Sequence, residues 1–320
     1  MSCPVDGISL EDEQKATDIL LKSGAAILEI NAVRRHISRM NGGQMARRIA
    51  ERGAELIGFN ISDSVSNPPT RDISVPWQNY FGTPMGPDQT TIQDALNCIQ
   101  KYDLWKRLPS SVIQYLTTCG PAGETPKAFP QNTYYQINTL PDSAAAAQRA
   151  AERMGLPAVI LSTFIDGEAR DMGTLMASIA REIQSYGRPV QAPCVIISAG
   201  ESVTTIPEGC VITGHGGPSQ EMTLSFAVTA AKAKGVCLLS IDTEGTDGTT
   251  TYAGGITDSS SMADMERGGV DVYGALRGHS SCEALSAVGC AVLTGNTGTN
   301  LCDLNIMYVP EISGGEENKE

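Results

Sequence analysis

Three polar, glycine-rich stretches carry most of the side chains that could do chemistry, and each follows an apolar run. They are residues 214–221 (GHGGPSQE), residues 242–255 after the run 236–241, and residues 294–300 (TGNTGTN). The middle stretch holds Asp242, Glu244 and Asp247 among Gly245, Gly248, Gly254 and Gly255. Carboxylates in such a loop can hold a hard cation or a substrate hydroxyl, and glycine lets the backbone come close. Gly216 and Gly217 precede a helix beginning near Ser219, so the first-turn N–H groups could bind an anion, with Gln220 and Glu221 in that turn. Thr297, Thr299 and Asn300 offer hydroxyl and amide contacts, or else close a tight turn. Earlier in the chain, Asp63 ends a short apolar strand at 55–61. Asp63 or Asp247 is the expected Mg²⁺ ligand, or the acceptor of a hydroxyl proton. The three loops together suggest one converging phosphate or carboxylate site. No Walker, GxGxxG or EF-hand pattern is present. His215 and His279 lack ligand spacing and read as ordinary residues, and three histidines in all (with His36) leave little material for a His-based metal centre.

Composition narrows the function classes. At 320 residues with net charge −13, the chain can bury a sizeable core and is a poor fit to nucleic acid or an anionic membrane surface. Its apolar runs are too short to span a bilayer, and its first residues do not read as a signal peptide. Nine scattered cysteines without a CxxC pair fit free thiols in a reducing cytoplasm.

The elements that must position these residues alternate between strand and helix. Residues 10–40 read as one long helix with an apolar stripe of Ile27, Ile30, Val33, Ile37 and Met40, stopped by Gly42–Gly43. Asn31, Arg34, Arg35 and Ser38 lie on its other face. A long loop at 64–81 holds Trp77, Tyr80 and Phe81, and helices follow to residue 118. The domain boundary is expected in the Pro/Gly-rich segment 119–131. Beyond it, strands at 134–140, 158–162, 194–198 and 236–241 alternate with helices, with Arg170 near the start of the helix at 168–186. That order predicts an α/β protein with parallel sheets and right-handed crossovers. Segments 202–206 and 210–213 are expected to form a hairpin, and strands 291–294 and 303–309 to pair through TGNTGTN. Residues 313–320 read as a disordered acidic tail.

Taken together, these loops resemble the class II glycerate 2-kinase family, whose C-terminal part is the MOFRL domain. The residues that carry the resemblance run from SGAAILEINAVRRHIS (23–38), Gly42–Gly43, Ser62–Asp63 and GTPMGPDQTT (82–91) through Gly123–Pro126, Gly167–Arg170 and Gly200–Glu201. They continue in GGPSQE (216–221), GTDG (245–248) and TGNTGTNLCDL (294–304). The resemblance implies two Rossmann-like domains, here 1–130 (incomplete) and 131–312. It implies ATP and Mg²⁺ as cofactors and phosphorylation of the 2-hydroxyl of D-glycerate or a related hydroxy acid. It also implies Arg34, with Asn31 beside it, as a clamp for a carboxylate or phosphate, and Gly42, Gly43, Glu201, Gly216, Gly217, Gln220, Glu221 and Gly248 as binding residues. Departures are plain. Pro218–Ser219 stands where the family carries Arg-Asn, which removes a guanidinium. The segment after GTDG carries no further aspartate. Asn296 stands where proline is common, and the 67–80 loop is longer than usual. The start resembles an internal segment of the family, which implies a truncated reading frame or a separate N-terminal subunit. That subunit and a homo-oligomer are the expected protein partners. A catalytically incomplete fragment is therefore one alternative function. A hydroxypyruvate reductase is another, and the missing dinucleotide fingerprint argues against it.

Overall fold

In a computed structural model, residues 2–65 and 84–312 are described. The chain divides into two compact units, Met1–Asn60 with Pro69–Ile137, and Ile61–Pro68 with Asn138–Glu320. The 67–80 loop and the acidic tail lie outside the described residues.

The first unit is mainly helical. Its elements are α1 (Leu10–Leu21), α2 (Ile27–His36), α3 (Gln44–Ala50), α4 (Ile92–Lys101) and α5 (Ser110–Thr118). The single helix expected over 10–40 is broken into α1 and α2. Gly24 takes φ +79°, and the Ser23 hydroxyl donates to Leu20 O at 2.6 Å while accepting the Ala25 N–H at 3.2 Å, so the backbone turns out of the helix. The stripe still builds the core: Ile30, Val33 and Ile37 pack with Leu20, Ile99, Leu104 and Leu116. Ile27 is the exception and lies exposed. Strands β1 (Ile57–Ser62) and β2 (Thr133–Thr139) form a two-stranded sheet.

The second unit is an α/β layer structure. A six-stranded sheet is ordered β3 (Ala158–Glu168), β4 (Cys194–Val203), β8 (Asp303–Val309), β5 (Cys237–Asp242), β6 (Gly254–Asp258), β7 (Ala291–Val292). Only β3 and β4 are parallel neighbours. Strand β8 inserts antiparallel between β4 and β5, so β5 runs with β3 and β4 yet hydrogen-bonds to antiparallel strands on both sides. The α/β class expected from sequence holds, with β3, β4 and β5 running the same way in a mixed sheet; the expected β7–β8 pairing is corrected, because β7 pairs with β6. Alternation of strand and helix does not reveal where a final strand returns. Inside the sheet, Asn305 receives the Ser240 hydroxyl at 2.6 Å and donates to Ser198 at 3.3 Å. That buried polar rung ties β8 to both neighbours.

Period-two alternation sorts β4 between two cores. Ile196 faces α7 (Ala169–Tyr186) and α8 (Pro218–Ala230), while Val195 and Ile197 face α6 (Leu140–Arg153). Gly173 sits where α7 crosses α8, and a Cβ there would collide with the carbonyl of Met222. Short helices α9 (Ser261–Arg267), α10 (Val272–Arg277) and α11 (Ser281–Ser286) pack on α8. Residues 204–217 hold no strand, so the expected hairpin does not form. Thr139, not Asp142 or Ser143, caps α6.

Candidate functional site

Strands β3, β4 and β5 end on one edge of the second unit's sheet, and β8 begins there, with Asp303 in register with Gly200 and Asp242. The C-terminal edge of such strands is where open α/β sheets place ligand-binding loops. The edge is acidic. Glu201 ends up with a carboxyl raised above its ordinary range by desolvation and by the charges of Asp63, Asp166 and Asp242. Burial also raises Asp242, whose carboxylate receives the Glu244 N–H at 3.0 Å. Asp63 is exposed, and its side chain has no hydrogen-bond partner among the described residues. Its backbone carbonyl takes the Cys302 thiol at 3.1 Å.

Beneath this rim lie two buried carboxylates. Asp247, 1% exposed, accepts the backbone N–H groups of Ser219 at 3.2 Å and Gln220 at 2.8 Å. Burial pushes its pKa up to about 7; those N–H bonds oppose the rise and the charge of Asp303 adds to it. Asp303 accepts the Ser202 N–H at 2.9 Å, the Ser202 hydroxyl at 2.6 Å and the Ser219 hydroxyl at 3.3 Å. Burial raises it to about 6. Nothing in the sequence reading singled out Asp303. The available signal was a carboxylate opening an apolar strand directly after a Gly/Thr loop.

At the anion site expected on α8, the first turn is occupied by the protein's own groups. The first-turn N–H groups are already capped by the protein's own Asp247, and the Glu221 N–H closes on Gly217 O at 2.9 Å. Gly216, Gly217 and Gly248 serve loop-to-loop packing. A Cβ on Gly248 would strike the Gly216 carbonyl, one on Gly217 would strike Asp247 Oδ1, and one on Gly216 would strike the Ser281 hydroxyl. Gln220 donates to Thr250 Oγ1 at 2.8 Å and leaves its Oε1 buried without a partner. Asp247 is accordingly a capping residue. Both of its oxygens are engaged by backbone N–H groups, and the residue is 1% exposed.

Similarly, loop 294–300 is knitted to loop 243–246. Thr297 N–H donates to Glu244 O at 3.1 Å and its hydroxyl to Thr243 O at 2.5 Å, while Asn300 Oδ1 accepts the Cys302 N–H at 2.7 Å. The Thr299 side chain remains exposed at this rim.

On the other flank of α8's first turn, Glu221 is 2% exposed. Its Oε1 accepts Arg170 Nε at 2.9 Å and Nη2 at 2.6 Å, and its Oε2 faces His279 Nδ1 at 3.0 Å. The expectation that His279 is ordinary is corrected: its ring is buried, and its backbone is held at φ +50°, a left-handed conformation uncommon for a side chain of this size. Spacing along the chain could not show this, because 58 residues separate the pair.

In the first unit, Arg34 Nη1 donates to Asn31 Oδ1 at 3.2 Å and lines a groove of about 400 Å³ with Glu13, Gln14, Thr17, Asp18 and Asn41. Gly42 and Gly43 both take left-handed φ (+63° and +77°), and side chains there would press on Thr125 and on the Gly86 carbonyl. Their local role is a turn leading into α3. Among the described residues, no three His, Cys, Asp or Glu side chains group as metal ligands. All nine cysteines are free, and no described helix is long and apolar enough to cross a membrane.

Comparison with known proteins bears on the fold and the family. The domain of unknown function DUF4147 matches residues 1–117, and the MOFRL family matches residues 194–303. The chain is 39% identical to the glycerate 2-kinase of Pyrococcus horikoshii over 317 residues, covering 97% of this chain and 68% of that protein. It is 35% identical to the D-glycerate 2-kinase of Thermotoga maritima over 305 residues, covering 95% of this chain and 68% of that protein. A crystal structure of glycerate kinase from Thermotoga maritima superposes with a TM-score of 0.83 at 35% identity, covering 97% of this chain and 70% of that one. The chain therefore belongs to the class II glycerate 2-kinase family, with its DUF4147 and MOFRL parts in that order.

Proposed function

We propose that the protein transfers the γ-phosphoryl group of ATP to the 2-hydroxyl of D-glycerate or a closely related small hydroxy acid, giving the 2-phosphate and ADP. The observation that carries this reading is kinship with two glycerate 2-kinases along nearly the whole chain. The acidic sheet edge supports it chemically. Phosphoryl transfer depends on positioning and on neutralising phosphate charge, commonly with Mg²⁺ held by one or two carboxylates plus the substrate phosphates. The carboxylates described at this edge are hard oxygen donors, which fits Mg²⁺. Asp242 and Glu201 would hold it, and it would supply charge neutralisation at the transferring phosphoryl group.

Asp63, exposed and uncommitted, is the group assigned to orient the attacking hydroxyl and take its proton. One O–P bond forms at the 2-oxygen while the bond from the γ-phosphorus to the bridging oxygen breaks, and the electron pair leaves with ADP. Asp247 and Asp303 hold the loops that carry this rim.

The test is a product assay on the purified chain with Mg²⁺, ATP and D-glycerate, read by phosphorus NMR. 2-Phosphoglycerate is the expected product, and ATP returned unchanged by a folded protein would overturn the reading. Asp63→Asn is expected to lower turnover by about 100-fold or more; unchanged turnover would remove Asp63 from the mechanism.

A further inference from the structure

The Arg170–Glu221–His279 cluster is the strongest arrangement of charge that the proposed chemistry leaves unused. One buried carboxylate is shared by a guanidinium and an imidazole, one on each oxygen. Arg170 opens α7 directly after β3 and Glu221 lies in the first turn of α8. The α10–α11 connection supplies His279. Three separate elements are thus brought to the substrate-side edge of the same sheet.

Donor bookkeeping shows which way the cluster faces. Arg170 uses Nε and Nη2 on Glu221, and its Nη2 also donates to Leu276 O at 3.2 Å. Its Nη1, with two N–H donors, has no partner among the described residues, and 37% of the side chain is exposed. For His279, Nδ1 is engaged by Glu221, and Nε2 has no partner among the described residues. The inward nitrogens are anchored, while one nitrogen of each side chain has no protein partner among the described residues. Another carboxylate near both side chains is Glu168, and its oxygens are engaged by the hydroxyl and N–H of Thr205. A guanidinium with a free Nη1 and an imidazole, both fixed to one buried carboxylate, match the spread oxygens of a carboxylate or phosphoryl group.

We infer that Arg170 and His279 form a two-pronged seat for an oxyanion group of the substrate pair, with Glu221 as the positioning residue that aims both. The source of that group is the carboxylate of the hydroxy acid or the phosphate of the nucleotide. This deepens the glycerate-kinase reading, so its test must stand without turnover as well as with it.

The experiment is calorimetric binding of D-glycerate, of inorganic phosphate and of ADP, in separate titrations, to wild-type protein and to Arg170→Lys, Arg170→Met, Glu221→Gln and His215→Gln. Arg170→Met is expected to weaken one of the three ligands by about 10- to 100-fold, the magnitude of a charged hydrogen bond removed. Which ligand suffers identifies the oxyanion's source. Arg170→Lys should recover part of the loss, and guanidinium ion added to Arg170→Met should recover part of it too, which a merely structural role would not allow. Glu221→Gln should weaken the same ligand. His215→Gln, at an exposed histidine paired with Glu283, should change nothing. In steady state the affected ligand's KM should rise while kcat moves less than about threefold. Wild-type and folded Arg170→Met binding all three ligands equally would overturn the inference. A wild-type chain that binds an oxyanion through Arg170 yet forms no 2-phosphoglycerate would sink the kinase reading and leave the seat standing.

Discussion

Two buried aspartates, one in each unit, show how the same side chain becomes a strut or a titrating group. Asp88, 2% exposed in the first unit, receives Arg35 Nη1 at 2.9 Å, the Thr90 N–H at 3.1 Å and hydroxyl and the Thr125 hydroxyl, the last two at 2.9 Å. Asp247, 1% exposed in the second, receives only neutral N–H donors and feels a second carboxylate, Asp303. A guanidinium offsets the desolvation of Asp88, whereas Asp247 has no cation to do so and its pKa climbs to about 7. Burial by itself therefore does not define a carboxylate's role; the charge of its partners does.

The largest effect that would sharpen this contrast comes from Asp88→Ala. It leaves Arg35 buried without its partner and should cost about 3–5 kcal/mol in urea denaturation. A loss below about 1 kcal/mol would mean that Arg35 re-partners and the strut is dispensable. Next, Gly217→Ala drives a Cβ into Asp247 Oδ1 and should cost about 1–3 kcal/mol. Because it displaces the cap, it should also weaken the pH dependence described next; a stable variant with wild-type pH behaviour would contradict the close approach of the two loops.

The most gradual effect is the pH slope itself. Asp247 and Asp303 have folded-state values raised from 3.8 to about 7 and about 6, so the folded state holds their protons more tightly than the unfolded chain. Their stabilising contribution is fully present below pH about 4 and is lost as pH rises through 6 to 7. The slope is roughly 1 kcal/mol per pH unit for each proton. Asp247→Asn should remove the slope between about pH 6 and 7, where Asp247 alone contributes, and roughly halve it between about pH 4 and 6, where both groups contribute. Denaturation midpoints measured at several pH values check this, and a slope of the opposite sign would show that Asp247 is ionised and paired.

Much of the second unit was legible in the chain. The apolar runs at 194–198 and 236–241, the helix from Ala169 and the polar loops at their ends follow from period and punctuation, which are local properties. The helix break at Gly24 went unread because the apolar stripe lies wholly beyond it, and the burial of Ile30 and Ile37 would be the same in a continuous helix. At the candidate site, Asp63 and the loop carboxylates were readable as polar groups at strand ends. Their division of labour was not, because Asp247 and Gln220 meet across 27 residues and Glu221 and His279 across 58.

The sequence by itself determined the strand and helix segments, the α/β class, the free cysteines, the family and the edge at which chemistry would gather, because all of these rest on residue type and short-range spacing. Only the tertiary structure decided that β8 returns antiparallel into the middle of the sheet, that α8's N-terminus is capped from within, and that an apparently ordinary histidine shares a buried carboxylate with Arg170. Each of those is a contact between segments distant in the chain, and its energy depends on burial and partner charge, which exist only once the chain has closed around them.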